Sequence, residues 1–449
     1  MKLKQLYVAS LIATLPATSV FAAALERSGQ SIQAFLEPGN YIEAGFNVTD
    51  HHTSAKLTND QLAFVGRNTS TGRASLAGTN EGDITPTYLT PNLSVKAQIN
   101  DKFSIGLIYD EPFGLDTEFS MTSRYFSSNG NIDTNNSNLT PETQGNDATS
   151  VKLDTKNITL PIGFHPNNNS TFIFAPVFQH LNGSLNIYGT HYQSNNSPSF
   201  IYHQSKFKSD DAYGWLLAYQ YKSDSEDFKT SITYRSKIKH NFNTTNNLVT
   251  ALSNHADDEN TVSTPQSVNL NFSKKLATNT IANAEVRWVN WKNFEMSIDS
   301  YRVFNNSSKL PVTGSVNPPL TITNGTIQAI GHPGGYNPIS YNKDQWSINL
   351  GLQQKLTDKW QIEGALGWDS GVGKYLSHYT PTSESWSAGI GLKYSPASNY
   401  FVQTGLSYTW YEDIKGQHAK QQAINSSQND VNFNDSYALT YDFKIGYRF

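Results

Sequence analysis

Residues 441–449 read YDFKIGYRF. Tyr441, Phe443, Ile445, Tyr447 and Phe449 are large and apolar, and they alternate with Asp442, Lys444, Gly446 and Arg448. Strict period-two alternation marks a strand whose two faces meet different surroundings. The charged face meets water. The apolar face suits either a protein core or lipid, and lipid needs no interlocking partner for such bulky side chains. A slip by one residue would exchange the faces, and an Arg or Lys at a bilayer midplane costs about 2–4 kcal/mol. The choice between core and lipid rests on the rest of the chain.

The same pattern recurs upstream. Trp346, Ile348, Leu350, Leu352 and Leu356 alternate with polar residues and turn at 357–359 into Trp360, Ile362, Leu366 and Trp368. Trp386, Ala388, Ile390, Leu392 and Tyr394 form the next run, followed by Val402, Thr404, Leu406, Tyr408 and Trp410. No Asp, Glu, Lys or Arg falls on these apolar faces. Earlier runs lie near 41–48, 93–99, 103–109, 158–164, 171–180, 215–221, 228–238, 268–272 and 282–288. The sum is about fourteen strands, an even number, as in single-chain outer-membrane barrels. Short turns alternate with long segments rich in Asn, Ser, Thr and Gly, at 49–87, 111–150, 181–211, 240–265, 291–344, 370–383 and 411–436. A sandwich has no reason to gather every long loop at one end, whereas a barrel with short periplasmic turns and long external loops does. The chain therefore reads as all-β: a transmembrane antiparallel β-barrel, apolar outside and polar within. Trp360, Trp386 and Trp410 sit at strand ends, where aromatic girdles belong.

Composition narrows the class. Hydrophobic residues make up 37% of the chain and aromatics 12%, with 24 Tyr. A formal net charge of −4 gives no sign of a nucleic-acid partner, and none is expected. With no cysteine, a disulfide framework, a thiolate metal site and a lipidated N-terminal Cys are excluded. The start, MKLKQLYVASLIATLPATSVFAAALERSGQ, has Lys2 and Lys4, then a short apolar run, then Val20 and Ala22 at a small-residue exit. This is a signal-peptide pattern over residues 1–22, with Ala23 opening the mature chain. No later window approaches the ~20 apolar residues a spanning helix needs.

Three further stretches go beyond a generic barrel. They are TYRSKIKHNF (233–242), TPQSVNLNFSKKLATNTIANAEVRWVNWKNF with Trp288, Trp291 and Phe294, and SIGLIYDEPFGLDTEF with the 112–115 run PFGL. In this order and spacing the chain resembles the FadL family of outer-membrane long-chain fatty-acid transporters. The early ERSGQSIQAFLEPGNYIEAG resembles a divergent branch of it. The resemblance implies a fourteen-stranded barrel over 41–449 and an N-terminal segment folded into the lumen as a hatch. It also implies capture of a hydrophobic ligand by external loops, luminal binding, and lateral exit near the third strand without ATP or an ion gradient. Residues 23–40 form a shorter hatch than the family archetype, with Ile32, Phe35 and Leu36 as its luminal residues.

A fatty acid needs an apolar trough and a cation for its carboxylate. Strand parity turns Arg235, Lys237 and Arg287 inward, and a guanidinium can hold a carboxylate with two hydrogen bonds. Glu285 is inward too, so the same charges can equally brace the wall. Phe113, Leu115, Phe119 and Phe126 in one long loop, and Phe200 and Tyr202 in another, are apolar clusters at positions read as external. They fit either ligand capture or closure of the mouth by loop packing. No enzyme signature such as G-x-S-x-G or H-E-x-x-H is present. His51, His52, His180, His191 and His203 could bind a metal but lack ligand spacing on one element and read as solvated, and the acidic run 257–259 could bind Ca²⁺ but reads more simply as a solvated turn. No metal, cofactor or catalytic residue is expected.

The reading is a monomeric outer-membrane channel for passive uptake of hydrophobic molecules, long-chain fatty acids first. Its other partners are outer-membrane lipid and lipopolysaccharide, and the barrel-assembly machinery, which a terminal aromatic such as Phe449 would address. Alkanes or aromatic hydrocarbons on the same fold, a general diffusion porin, and an outer-membrane hydrolase are the alternatives.

Overall fold

The computed structural model describes residues 24–58, 79–123, 126–127, 147–188, 203–246, 259–292, 294–298, 322–323, 326–327, 337–341, 343–381, 383–418, 427 and 429–449. Fourteen wall strands close into one barrel. They are β1 (Tyr41–Leu57), β2 (Tyr88–Gln98), β3 (Phe103–Asp110), β4 (Ser150–Thr159, resumed at Ile162–Phe164), β5 (Ser170–Ile187), β6 (Asp210–Lys222) and β7 (Phe228–Arg235). The remainder are β8 (Ser267–Ala277), β9 (Thr280–Val289), β10 (Gln345–Lys355), β11 (Trp360–Asp369), β12 (Ser385–Ala397), β13 (Tyr400–Tyr411) and β14 (Val431–Arg448). Each is antiparallel to its sequence neighbours. β14 closes on β1 from Tyr41 opposite Arg448 to Leu57 opposite Val431, with one shift in register between His52 and Ser54.

The facing is as the alternation requires. Tyr441, Phe443, Ile445 and Tyr447 are about half exposed, at 50%, 39%, 46% and 43%, while Asp442 between them is 5% exposed. Outward aromatics form a cross-strand row at the upper edge of the apolar band, where Trp368, Trp386, Trp410, Tyr437 and His52 oppose one another in register. Below, Trp360 faces Tyr394 and Tyr400 faces Tyr447. From Tyr400 to Trp410 a strand climbs about ten residues. At about 3.3 Å each and a tilt of about 40°, that spans roughly 25 Å, the height of an outer-membrane apolar belt.

The periplasmic turns are short because polar side chains replace missing backbone bonds. Asn100 Oδ1 accepts from the N–H groups of Lys102 and Phe103 at 2.9 and 3.0 Å. Asn167 Oδ1 does the same for Asn169 and Ser170, both at 2.9 Å. At the other end the strands run further than alternation indicates. β1 continues to Leu57, β5 to Ile187, and β14 begins at Val431. Above the bilayer neither face meets lipid, so polar strand and polar loop have the same composition. Short strands such as Asn80–Asp83 extend the wall there.

One part of the wall departs from regular pairing. β2 pairs with β3 only from Leu93–Tyr109 to Gln98–Ser104, although β2 stays on β1 up to Tyr88. Among the described residues, 88–92 thus have no paired neighbour on the β3 side. Pro91, with no N–H to offer, lies within that stretch. β3 leaves the wall at Glu111-Pro112 and turns inward, and its continuation Gly114–Glu118 pairs with β4. β4 is itself interrupted at Leu160-Pro161.

Candidate functional site

The chain before β1 threads the lumen. A sharp turn at Gly39 (φ +71°), where a left-handed conformation is required, leads it up from β1. Above the turn, the short 3-10 helix Gln33–Leu36 places Phe35 against β3 and β4. A Cβ on Gly106 would lie 2.7 Å from the Phe35 ring, so glycine is what lets the ring seat there. Ile32 and Phe35, each 2% exposed, join a luminal apolar cluster with Ile108, Ile173, Val177 and Leu216, and Leu36 packs on its edge.

The upper part of the segment is held by polar contacts instead. Glu26 pairs with Arg287, both side chains fully buried. Arg287 also donates to Asn269 Oδ1 and, at 3.2 Å, to Gln30 Oε1. Arg235 donates to the Gln30 carbonyl at 2.8 Å and to Thr159 at 3.4 Å. Asn269 Nδ2 donates to the Gly29 carbonyl at 2.9 Å, and Ser28 donates to Asp110 at 3.0 Å. The inward-turned β3 receives the chain directly: the Arg27 N–H donates to the Pro112 carbonyl at 2.8 Å, and the Gly114 N–H to the Leu25 carbonyl at 2.8 Å. At the periplasmic floor Glu37 pairs with Arg448 at 2.8 Å, and Lys96 donates to the Glu37 carbonyl at 2.5 Å.

Beside this segment lies a cavity of about 170 Å³. Hatch residues 27–38 form one side of it, and luminal residues of β1, β2, β3, β6, β7, β8, β9 and β14 the rest. Its lining is mixed. Ala34, Leu36 and Ile108 supply apolar surface; Gln33, Asn47, Ser231 and Asn271 supply hydrogen-bonding groups. Thr90, Pro91, Asn92, Tyr109 and Asp110 also line it, so the cavity reaches the wall where β2 is paired with β1 but not with β3.

The outer end is closed by apolar packing. Phe113 meets Trp291 edge-on at 5.7 Å, and Trp291 touches Phe294 and Tyr341 at 5.1 and 5.4 Å. Phe119 stacks on Phe126 at 3.8 Å, with His378 against both rings at 6.2 and 5.3 Å. His378 is fully buried, and burial pushes its imidazole down to about 3.

The sequence-derived residues fall out as follows. Arg235 and Arg287 are luminal and buried, and each donates both to the hatch segment and to the wall. Lys237 is a correction: strand pairing stops at Arg235, residues 236–237 lie outside any strand, and Lys237 is exposed while Ile238 turns in. Glu285 is luminal and lines the cavity. Phe113, Leu115, Phe119 and Phe126 are 0–7% exposed, so they form the packed mouth and not an open patch. Phe200 and Tyr202 lie outside the described residues, as do residues 1–23, His191, Asp257 and Asp258. Among the described residues no group of His, Asp or Glu is placed to hold a metal ion. Sequence reasoning missed Glu26, Gln30 and Asn269. Parity could have placed Asn269 inward, but Glu26 and Gln30 sit in a segment with no periodicity to read.

A closed fourteen-strand barrel with a lipid-facing belt, a filled lumen and a packed mouth is a plugged outer-membrane channel. Within that class, the sequence profile of the outer membrane protein transport protein family (OMPP1/FadL/TodX) matches residues 22–449, and the chain belongs to that family. The structure resembles that of a Pseudomonas aeruginosa FadL homologue, with a TM-score of 0.65, 12% identity, and 97% of each chain covered. It also resembles the P. putida toluene transporter TodX, with a TM-score of 0.57, 12% identity, and 93% and 92% of the two chains covered. No curated protein sequence matches the chain.

Proposed function

We propose that this channel takes up hydrophobic molecules passively, with long-chain fatty acids as the leading class. Residues 1–22 are removed on export, residues 23–40 are the hatch, and 41–449 are the barrel. A ligand gathered at the outer loops reaches the cavity beside the hatch when the hatch shifts, and leaves sideways between β2 and β3. The observation that carries this reading is the continuity of the cavity with the unpaired edge at residues 88–92. A sideways exit delivers an apolar molecule into the membrane without crossing the polar lipopolysaccharide layer. The mixed lining favours an amphiphile, since a bare hydrocarbon would leave the cavity's polar groups without partners. Lipid and lipopolysaccharide surround the belt.

Uptake of labelled oleate by cells with and without the gene tests this. Uptake should fall in the deletion strain, and unchanged uptake would remove the fatty-acid reading. A second reading, transport of alkanes or aromatic hydrocarbons, is favoured by the engagement of Arg235 and Arg287 with the hatch, since both guanidiniums are already committed in part to other partners. The toluene-transporter likeness is compatible with it. Labelled toluene run in the same assay separates the two.

A further inference from the structure

The luminal faces of β7, β8 and β9 form horizontal rows. One row is Thr233–Asn269–Arg287, which holds the hatch; the next down is Ser231–Asn271–Glu285; the lowest is Lys229–Ser273–Asn283. All three members of the lowest row line the cavity. Three cations line that cavity, and two are satisfied: Arg27 by Asp154 at 2.8 Å and Lys444 by Glu43 at 3.2 Å. Lys229 has no carboxylate in ion-pair contact among the described residues; those of Glu37 and Glu226 act on it only from further off. Asn283 Nδ2 is buried there without an acceptor. An ammonium, a hydroxyl and an amide N–H thus stand side by side on three adjacent strands, the amide without an acceptor among the described residues. Neighbouring strands lie about 4.8 Å apart, so one lysine side chain reaches across the row.

We propose that Lys229, Ser273 and Asn283 form the receptor for the carboxylate of a fatty acid. This rests on the channel reading above. An ionised carboxylate accepts several hydrogen bonds and neutralises the partly buried ammonium, which a hydroxyl or ester group does not do. The receptor lies at the periplasmic end of the cavity, so the head sits low. The tail rises past Leu36 and Ile108 to the unpaired edge near Pro91 and enters the membrane first. The receptor is one row removed from Glu285, whose charge would repel an anion placed higher.

The test is equilibrium binding to the full-length barrel in nanodiscs, with oleate, methyl oleate and acetate as probes. Lys229→Gln should weaken oleate binding about tenfold or more, the scale of a charged hydrogen bond. It should leave methyl oleate unchanged, and Lys229→Arg should restore oleate binding. Asn283→Ala should give a smaller loss with the same selectivity. Equal loss for oleate and methyl oleate in Lys229→Gln, or no loss for either, overturns the receptor while leaving the channel in place. Acetate binding as tightly as oleate would make the row a small-anion site and also overturn it. A wild-type protein that binds neither oleate nor methyl oleate overturns the channel reading itself.

Discussion

At the scale of single residues, the two faces of β14 carry different costs. Ile445 meets lipid and Lys444 meets Glu43 across the seam with β1, at 3.2 Å. Ile445→Arg places a charge in the apolar belt at a cost of about 2–4 kcal/mol. Lys444→Gln keeps a hydrogen-bond donor for Glu43, which Tyr41 also serves at 2.7 Å. Its cost is about 1 kcal/mol, the difference between a charged and a neutral donor to the same carboxylate. Ile445→Arg should therefore reduce folded barrel in outer-membrane fractions, with Lys444→Gln near wild type; similar yields for the two would mean the faces are misassigned. His378 gives a second residue-level expectation. Its folded value, about 3, lies below the unfolded value near 6.5, so the unfolded loops bind the extra proton. The contribution of the buried neutral ring is complete above about pH 6.5 and is lost as pH falls toward 3. The charged neighbourhood is His418, itself against Asp430 at 2.9 Å. Proteolysis of the outer loops should accelerate as pH drops from 6.5 to 4, and His378→Phe should flatten that dependence.

At the scale of elements, the hatch is gripped in two ways. Its lower half is apolar and its upper half is polar. Arg235→Ala or Arg287→Ala removes hatch anchors and leaves buried acceptors or Glu26 unpaired, a change of several kcal/mol. Binding of charged and uncharged ligands should shift together in these variants, because what changes is the position of the hatch. Selective loss of the charged ligand in Arg287→Ala would instead make that arginine the carboxylate site. The strands themselves were legible wherever lipid lies on one side. In the 346–449 region, Trp346, Leu350, Leu366, Ile390 and Leu406 could face only one way. Strand ends above the bilayer were not legible, since His51–Leu57 in β1 carries no lipid signature. The hatch anchors were illegible for a different reason: Glu26 and Gln30 have meaning only once Arg287 and Arg235 lie beside them, some 205–261 residues away in sequence. Lys237 shows the limit of parity, which fails where the ladder stops.

At the scale of the whole molecule, the lumen is filled and the mouth packed, so the intact barrel should not conduct small hydrophilic solutes. Liposome swelling in arabinose should be close to the protein-free rate for the full chain. A variant lacking residues 24–36 should swell faster, because the hatch fills space that no wall side chain occupies. Rapid swelling with the intact chain would make it a general porin. The family and the plugged-channel architecture follow from features spread over the entire sequence, while the ligand depends on a few luminal side chains.

The seam between β1 and β14 has a kinetic consequence. It joins residues about 400 positions apart, so its contact order is close to the maximum the chain allows, and such pairings form slowly. Until β14 has docked, β1 presents a long unpaired edge, and the far side of the assembling sheet presents another. Open edges of this kind recruit other strands. Ring closure is then expected to be a slow step of assembly, and a sheet not yet closed the species most open to wrong pairing.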